Sequence, residues 1–328
     1  MAVFSKILQD NNKLQDRMNR SRIKLGELRS QANNYEALQN DRLSVFAAGS
    51  LGRLETGEKS DFDVFMICDS EERRTSGKSS VSRLEEYEVF SALIRINEDL
   101  NYPKFSGDGR FLKTYELQDM IKATGSPQDD SENLFTARML LLLESQPVTN
   151  EELYQRGTAL VVENYFRDGL GRDNFRPLFL MNDLLRYWRT LCLNYEVYRN
   201  EPERPWLKKS LNLKFSRKLT IFSTVLSLLA GRASDSSAFL DLCNLTPIER
   251  LADALDAIDD PTLEKGFSNA LGTYESFLKA KEIGSIEFET TPTFRKRHAD
   301  LADRFGRFLH EAFDSHRIDG DLRRYVLI

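Results

Sequence analysis

Cysteine is scarce in this chain. Its three cysteines, Cys68, Cys192 and Cys243, are odd in number and widely spaced. That count gives no disulfide framework and no zinc-ligand spacing, and it suits a reducing, cytoplasmic compartment. Histidine is equally sparse: His298, His310 and His316 all lie towards the C-terminus with no metal-ligand spacing, and they read as polar surface packing. No apolar run approaches the roughly 18–20 residues needed to span a bilayer. The longest, Met139–Leu143 and Thr224–Ala230, fall far short, so no membrane partner is expected. The opening residues, Met1 to Lys6, lack the apolar core of a secretory signal. Positive charge is not in excess either. A net charge of −5 does not suggest a general nucleic-acid coat, although a few well-placed Arg and Lys side chains suffice to hold a phosphate locally.

What is present fits a globular protein of more than one unit. With 328 residues, 41% of them hydrophobic, the chain can bury a sizeable core. Residues 5–39 carry a broken apolar stripe (Ile7, Leu8, Leu14, Met18, Ile23, Leu25, Leu28, Ala32) and predict an N-terminal helix packing within the monomer. Strand-like runs follow at Leu43–Ala48, at Phe62 with Val64–Ile67, and at Arg110–Leu117, with a helix between them over 82–97. Beyond Ser126–Ser131 the periodicity is helical: 132–144, 150–167, 176–197, 213–230, 247–257, 263–279 and 293–314. The fold class expected is α+β: an N-terminal helix over 1–40, a small mixed-sheet catalytic domain over 41–130, and a larger all-helical region over 131–328.

The chemistry concentrates in two short segments. Asp61 and Asp63 are separated by one residue, so on an extended chain both carboxylates project from the same face. Two like charges so close ask for a cation between them, and hard Mg²⁺ or Mn²⁺ suits oxygen ligands. The apolar run Val64–Ile67 anchors that segment in a core, which an acidic surface loop would lack. Gly49-Ser50 ends the preceding apolar run; glycine allows close backbone approach to a phosphate, and the serine hydroxyl with neighbouring N–H groups can donate to its oxygens. Arg53 extends that phosphate-binding character. Gly-Ser alone is an ordinary turn and Asp-x-Asp alone an ordinary loop; their combination on two strand-like runs joined by a short linker points to a triphosphate and metal site.

The segments Ala47-Ala48-Gly49-Ser50-Leu51-Gly52-Arg53 and Lys59-Ser60-Asp61-Phe62-Asp63-Val64 resemble the signature of the DNA polymerase β-like nucleotidyltransferase superfamily. In its Gly-Arg and Ser-Asp details the chain is similar to the branch of uridylyltransferases that modify signalling proteins. The resemblance covers some 20 residues. It implies a small mixed sheet with helices, two Mg²⁺ ions, and attack of a hydroxyl on the α-phosphorus of a nucleoside triphosphate. It also implies a third carboxylate on a later strand, for which Asp108 and Glu116 are the two candidates, Asp108 the preferred one. In general layout, with a tyrosine-bearing tail, the chain further resembles nucleotidyltransferases of bacterial antiphage operons of the Hailong type. That likeness implies template-independent, tyrosine-primed synthesis of single-stranded DNA and a co-encoded effector protein. Tyr325, in Arg323-Arg324-Tyr325-Val326, is then the candidate priming acceptor.

Two helical stretches carry cations in register. Asn182, Arg186 and Arg189 share one face, as do Lys214, Arg217 and Lys218. These are expected to hold the triphosphate or a nucleic-acid strand, against the plainer reading of a solvated, salt-bridged face. Arg138 is a weaker candidate of the same kind. Tyr187, Tyr195 and Tyr198 offer rings on which a base could stack, although helical tyrosines commonly close a core. Because the fold does not choose the acceptor, nucleotidylation of a protein or tRNA, and a catalytically silent nucleotide-binding sensor, stay open as alternatives.

Overall fold

The computed structural model describes residues 2–105, 109, 112–169, 175–199, 206–282 and 292–327. Asp108, the preferred third carboxylate, lies outside the described residues. The chain divides into a sheet-bearing unit, residues 17–168, and a helical unit made of residues 1–16 and 169–328. It is α+β, with a small mixed sheet and many helices.

The expected N-terminal helix is broken in two: α1 (Val3–Gln9) and α2 (Asn12–Ala32). The break is made by polar side chains. Asn11 accepts from the N–H of Leu14 at 3.1 Å and so caps α2, while Gln15 donates back to the Leu8 carbonyl at 3.1 Å. The unit boundary falls within α2, between Asp16 and Arg17.

In the sheet-bearing unit, β1 (Leu43–Ala47) pairs antiparallel with β2 (Val64–Cys68), Ala47 opposite Val64 and Leu43 opposite Cys68. Between them lies α3 (Gly49–Gly52), a single turn. The short helix α4 (Glu71–Ser76) and α5 (Arg83–Asp99) follow β2. Helix α5 starts at a capping box, in which the Ser82 side chain accepts from the Glu85 N–H and the Glu85 carboxylate accepts from the Ser82 N–H. Strand β3 (Thr114–Glu116) runs parallel to β2, with Met66 opposite Thr114 and Cys68 opposite Glu116. Within the expected Arg110–Leu117 run, Arg110 and Phe111 lie outside the described residues, and Leu117 already begins the next helix. Three helices follow, α6 (Leu117–Lys122), α7 (Pro127–Ser131) and α8 (Leu134–Leu143), then β4 (Gln146–Pro147) and α9 (Glu151–Phe166). Strand β4 adds to the free edge of β1, giving the order β3-β2-β1-β4.

The sheet's core explains why the unit extends past the expected boundary at residue 130. Strand β1 is buried along its whole length, and Gly157 of α9 lies so close to Ile67 and Leu117 that an added Cβ would come within 2.8 Å of Ile67 Cδ1. Helices α6 to α9 therefore belong with the sheet rather than with the helical region. Arg138 on α8 is fully buried and forms a two-pronged pair with the equally buried Asp129, and its Nε donates to the Tyr165 hydroxyl. It is a packing element and not a solvent-facing phosphate contact, because both nitrogens of its fork are spent on a carboxylate inside the protein.

The helical unit comprises α10 (Leu178–Arg199), α11 (Trp206–Asn212), a π-helical stretch Leu213–Arg217, α12 (Lys218–Leu229), α13 (Ser236–Cys243), α14 (Pro247–Ile258), α15 (Glu264–Ala280), α16 (Pro292–Phe313) and α17 (Gly320–Leu327). Helix α1 joins it: the N–H groups of Phe4 and Ser5 donate to the Asp256 carboxylate at 2.7 and 3.0 Å, and the Phe4 ring meets Phe267 at 5.6 Å. An aromatic stack, Phe215 on Phe277 at 4.6 Å with Phe305 and Tyr274 beside it, forms part of its core. Each such ring, fully buried, contributes about 1.5–3 kcal/mol relative to exposure. Among the described residues no helix is long and apolar enough to cross a membrane.

Candidate active site

The Gly49-Ser50 turn sits at the mouth of the β1–β2 pair. β1 ends at Ala47, and the N–H of Ala48 donates to the Asp63 carbonyl at 2.8 Å, extending the ladder by one bond beyond Val64. The chain then turns sharply into α3. Gly49 adopts a left-handed φ of +64°, which glycine takes without steric cost. Its missing side chain also matters, because a Cβ there would lie 2.3 Å from Asp63 Oδ2. The Asp63 carboxylate thus occupies the space above the Gly49 backbone. Gly52 is demanded in the same way: a Cβ there would come 2.0 Å from the Glu144 carbonyl oxygen.

The acidic segment follows the expected alternation. Asp61 is exposed, Phe62 buried, Asp63 exposed and Val64 buried, so the two carboxylates share one face while Phe62 packs on Tyr102 and Phe105 with ring centroids 5.6 and 6.0 Å away. The buried ring fixes the direction of both flanking aspartates. Opposite them, the first turn of α3 leaves the N–H groups of Gly49, Ser50 and Leu51 without an intrahelical acceptor, and the Ser50 hydroxyl makes no hydrogen bond among the described residues. The Asp63 carboxylate lies against the Gly49 end of this turn. Asp61 and Asp63 are the hard oxygen donors here that could hold a divalent cation, and the space left by the absent Gly49 side chain is what lets Asp63 take its position.

Arg53 needs correction. It is only 4% exposed, its Nε donates to Glu55 at 2.8 Å and its Nη1 to Glu144. The guanidinium lies between two buried carboxylates, so its work is to pin the turn to the end of α8 and not to reach a phosphate. Glu116 is corrected too. It pairs in register with Cys68, at the far end of β2 from Asp63. Five residues of strand put it about 16 Å away. Its carboxylate instead accepts from the N–H and hydroxyl of Ser80, both at 2.7 Å. Among the described residues no three His, Cys, Asp or Glu side chains are grouped to hold a metal.

The spacer between the two motifs is braced by a helix whose role the sequence did not signal. Ser21 of α2 accepts from the Thr56 N–H at 3.0 Å and meets its hydroxyl at 2.6 Å, Arg17 donates to the Thr56 carbonyl and Lys24 to the Gly57 carbonyl at 3.2 Å. Ser21 carries no motif, so nothing in the sequence marks it.

The remaining candidates belong to the helical unit. Asn182 and Arg189 are exposed on α10, but Arg186 pairs with the buried Asp183 at 3.3 Å. Tyr187 is buried and serves the core, not base stacking. Tyr195 is half-buried; the Tyr198 side chain lies outside the described residues. Lys214 and Arg217 sit on the π-helical stretch and Lys218 begins α12, all three half-buried. Tyr325 lies on α17, and its side chain is outside the described residues. Comparison with protein-family models, with curated proteins and with solved structures returns no match to this chain.

Proposed function

We propose that this protein is a divalent-metal-dependent nucleotidyltransferase of polymerase β-like architecture. It moves a nucleoside monophosphate from a nucleoside or deoxynucleoside triphosphate to a hydroxyl: the hydroxyl gives up its proton to solvent, its oxygen bonds to the α-phosphorus, the α–β phosphoanhydride bond breaks, and pyrophosphate leaves. The observation that carries this reading is the seating of the Asp63 carboxylate on the side-chain-free face of Gly49. It brings the phosphate-type turn against the acidic segment, although 10 residues lie between Ser50 and Asp61 and 13 between Gly49 and Asp63.

Asp61 and Asp63 would hold Mg²⁺ or Mn²⁺, which when bound supplies positive charge against the phosphoryl oxygens. Ser50 and the first-turn N–H groups orient the phosphates by donating to their oxygens. Glu55 and Glu144, through Arg53, hold that turn in place. We place the product among template-independent oligonucleotides, single-stranded DNA primed on a tyrosine hydroxyl such as that of Tyr325, in a bacterial antiphage setting with a co-encoded effector. The sequence resemblance supports this finer reading.

The test is incubation of the purified protein with each labelled NTP and dNTP in Mg²⁺ or Mn²⁺. Label in a growing oligomer, or on the protein itself, is expected, and none with Asp61→Ala, Asp63→Ala. Equal signals from wild type and variant, or no transfer at all, would sink the reading. Label on an added tRNA or partner protein would keep the chemistry and move the acceptor.

A further inference from the structure

The helical unit contains a cavity of about 320 Å³ between α12, α16 and α17, of a size at the small end of small-molecule sites. Its body is apolar: Phe222 and Leu229 from α12, Leu309 and Phe313 from α16, and Val326 from α17. Phe222 and Phe313 meet edge to face at 5.9 Å. One end is cationic. Lys218 lines it, half-buried, and forms no hydrogen bond or ion pair among the described residues. Gly306 faces that ammonium, and a Cβ there would approach Nζ to 3.3 Å, so the glycine gives it room.

The other charges at the cavity do not neutralise Lys218. Asp314 already takes His310 at 3.0 Å and stands 4.0 Å from Arg323. Arg323 lines the same cavity; its Nη2 donates to the carbonyls of Ser315 and Ile318, and its buried Nε–H has no acceptor among the described residues. The chain enters Lys218 from a π-helical stretch, a geometry that recurs at functional sites. Burial and the neighbouring Lys214 hold the Lys218 ammonium below its ordinary pKa, with Asp303 opposing them; a half-buried charge answered only by Asp303 at a distance and the Trp188 ring costs free energy that an anion would offset.

We infer that this cavity binds a small amphipathic anion, a compact alkyl or aryl body carrying a carboxylate, its head on Lys218 and the Arg323 Nε–H and its body between Phe222, Phe313 and Leu309. The site lies wholly in the helical unit and stands whether or not nucleotidyl transfer does.

Trp188 reports on it directly, because its ring meets Phe222 at 5.3 Å and Lys218 at 6.0 Å. In a Trp206→Phe background Trp188 is the sole tryptophan. Titration with octanoate or 4-phenylbutyrate should give a saturable change in its emission and one site per chain by calorimetry; which of the two binds tighter tells an alkyl from an aryl body. 1-Octanol and inorganic phosphate, each offering half of the ligand, should bind at least roughly tenfold more weakly, as should Lys218→Met and Lys218→Gln, since a charge-assisted hydrogen bond is worth that factor or more. Val326→Phe, which fills the apolar end, should weaken both carboxylates while leaving the Lys218 end intact. Thermal unfolding identifies which variants are folded, and the two lysine replacements guard against one failing. No saturable binding of either carboxylate to wild type overturns the site. Octanol binding as tightly as octanoate, or folded lysine variants binding like wild type, overturns the charged head.

Discussion

Arg53 and Glu144 meet across 91 positions of sequence, the arginine leaving the glycine-rich turn and the glutamate closing α8. With Glu55 on the other nitrogen, the pair is buried and satisfied. Arg53→Ala should therefore act on stability first. It strands two carboxylates away from water, and the expected loss is about 3–5 kcal/mol by urea denaturation. A variant as stable as wild type, with weakened triphosphate binding alone, would return Arg53 to the phosphate contacts.

Gly49→Ala should cost more than backbone strain. The left-handed conformation alone costs an alanine about 1–2 kcal/mol. Gly77 is the matched control, since its φ is +76° and nothing lies within 4 Å of an added Cβ. Gly77→Ala should lower stability by the strain only and leave nucleotide incorporation intact. Gly49→Ala should displace Asp63 and abolish incorporation; full activity in that variant would show that the close approach is dispensable.

Asp61→Asn and Asp63→Asn should separate activity from folding. Both side chains are exposed, and each replacement relieves repulsion between neighbouring carboxylates. Melting temperatures should hold or rise slightly, with ΔΔG within about 0.5 kcal/mol as for exposed sites elsewhere. Labelled-nucleotide transfer should vanish in both. Destabilisation of several kcal/mol would instead mark the pair as structural.

The acid limb of stability should report Asp260. Hydrogen bonds from Thr262, with Ser315 next and His316 nearby, hold its carboxylate below the ordinary range. A depressed folded-state pKa adds stability that is fully present above the unfolded value of about 3.9 and is lost as pH falls through the folded one. Melting curves of wild type and Asp260→Asn should differ by a constant amount from pH 5 to 7 and converge below about pH 4. Curves that stay parallel into acid would assign the difference to packing.

Much of the architecture was legible because burial imposes a period. The run from Phe62 to Ile67 alternates and then turns wholly apolar, which marks a strand entering a core; β2 begins at Val64 as that pattern implies. Long helices such as α9 and α14 lie within a few residues of their apolar stripes. What escaped has little pattern to offer. Strand β4 is two residues long and exists because β1 has an open edge, a tertiary fact. The split at Asn11 depends on one side chain folding back on its own helix. The sheet-bearing unit runs to residue 168 because α6 and α9 pack on the sheet and α8 packs on them, and a helical stripe does not say what covers it. At the candidate site, residue type and spacing pointed to one neighbourhood for the glycine turn and the acidic pair, and the structure brings Asp63 against Gly49. Arg53 misled, since an arginine's charge reads the same in sequence whether solvent or Glu144 answers it.

The helical unit is assembled from both flanks of the chain, with the sheet-bearing unit inserted between Asp16 and Gly169. On the ribosome this sets an order. Once residue 168 has emerged, the inserted unit has its complete sequence and can close on its own core. Helix α1, with Phe4 still lacking Phe267 and its N-terminal amides still lacking Asp256, must wait for the later helices to be made. Pulse-labelled nascent chains stalled after residue 168 should thus resist protease over residues 17–168 while the first 16 are trimmed.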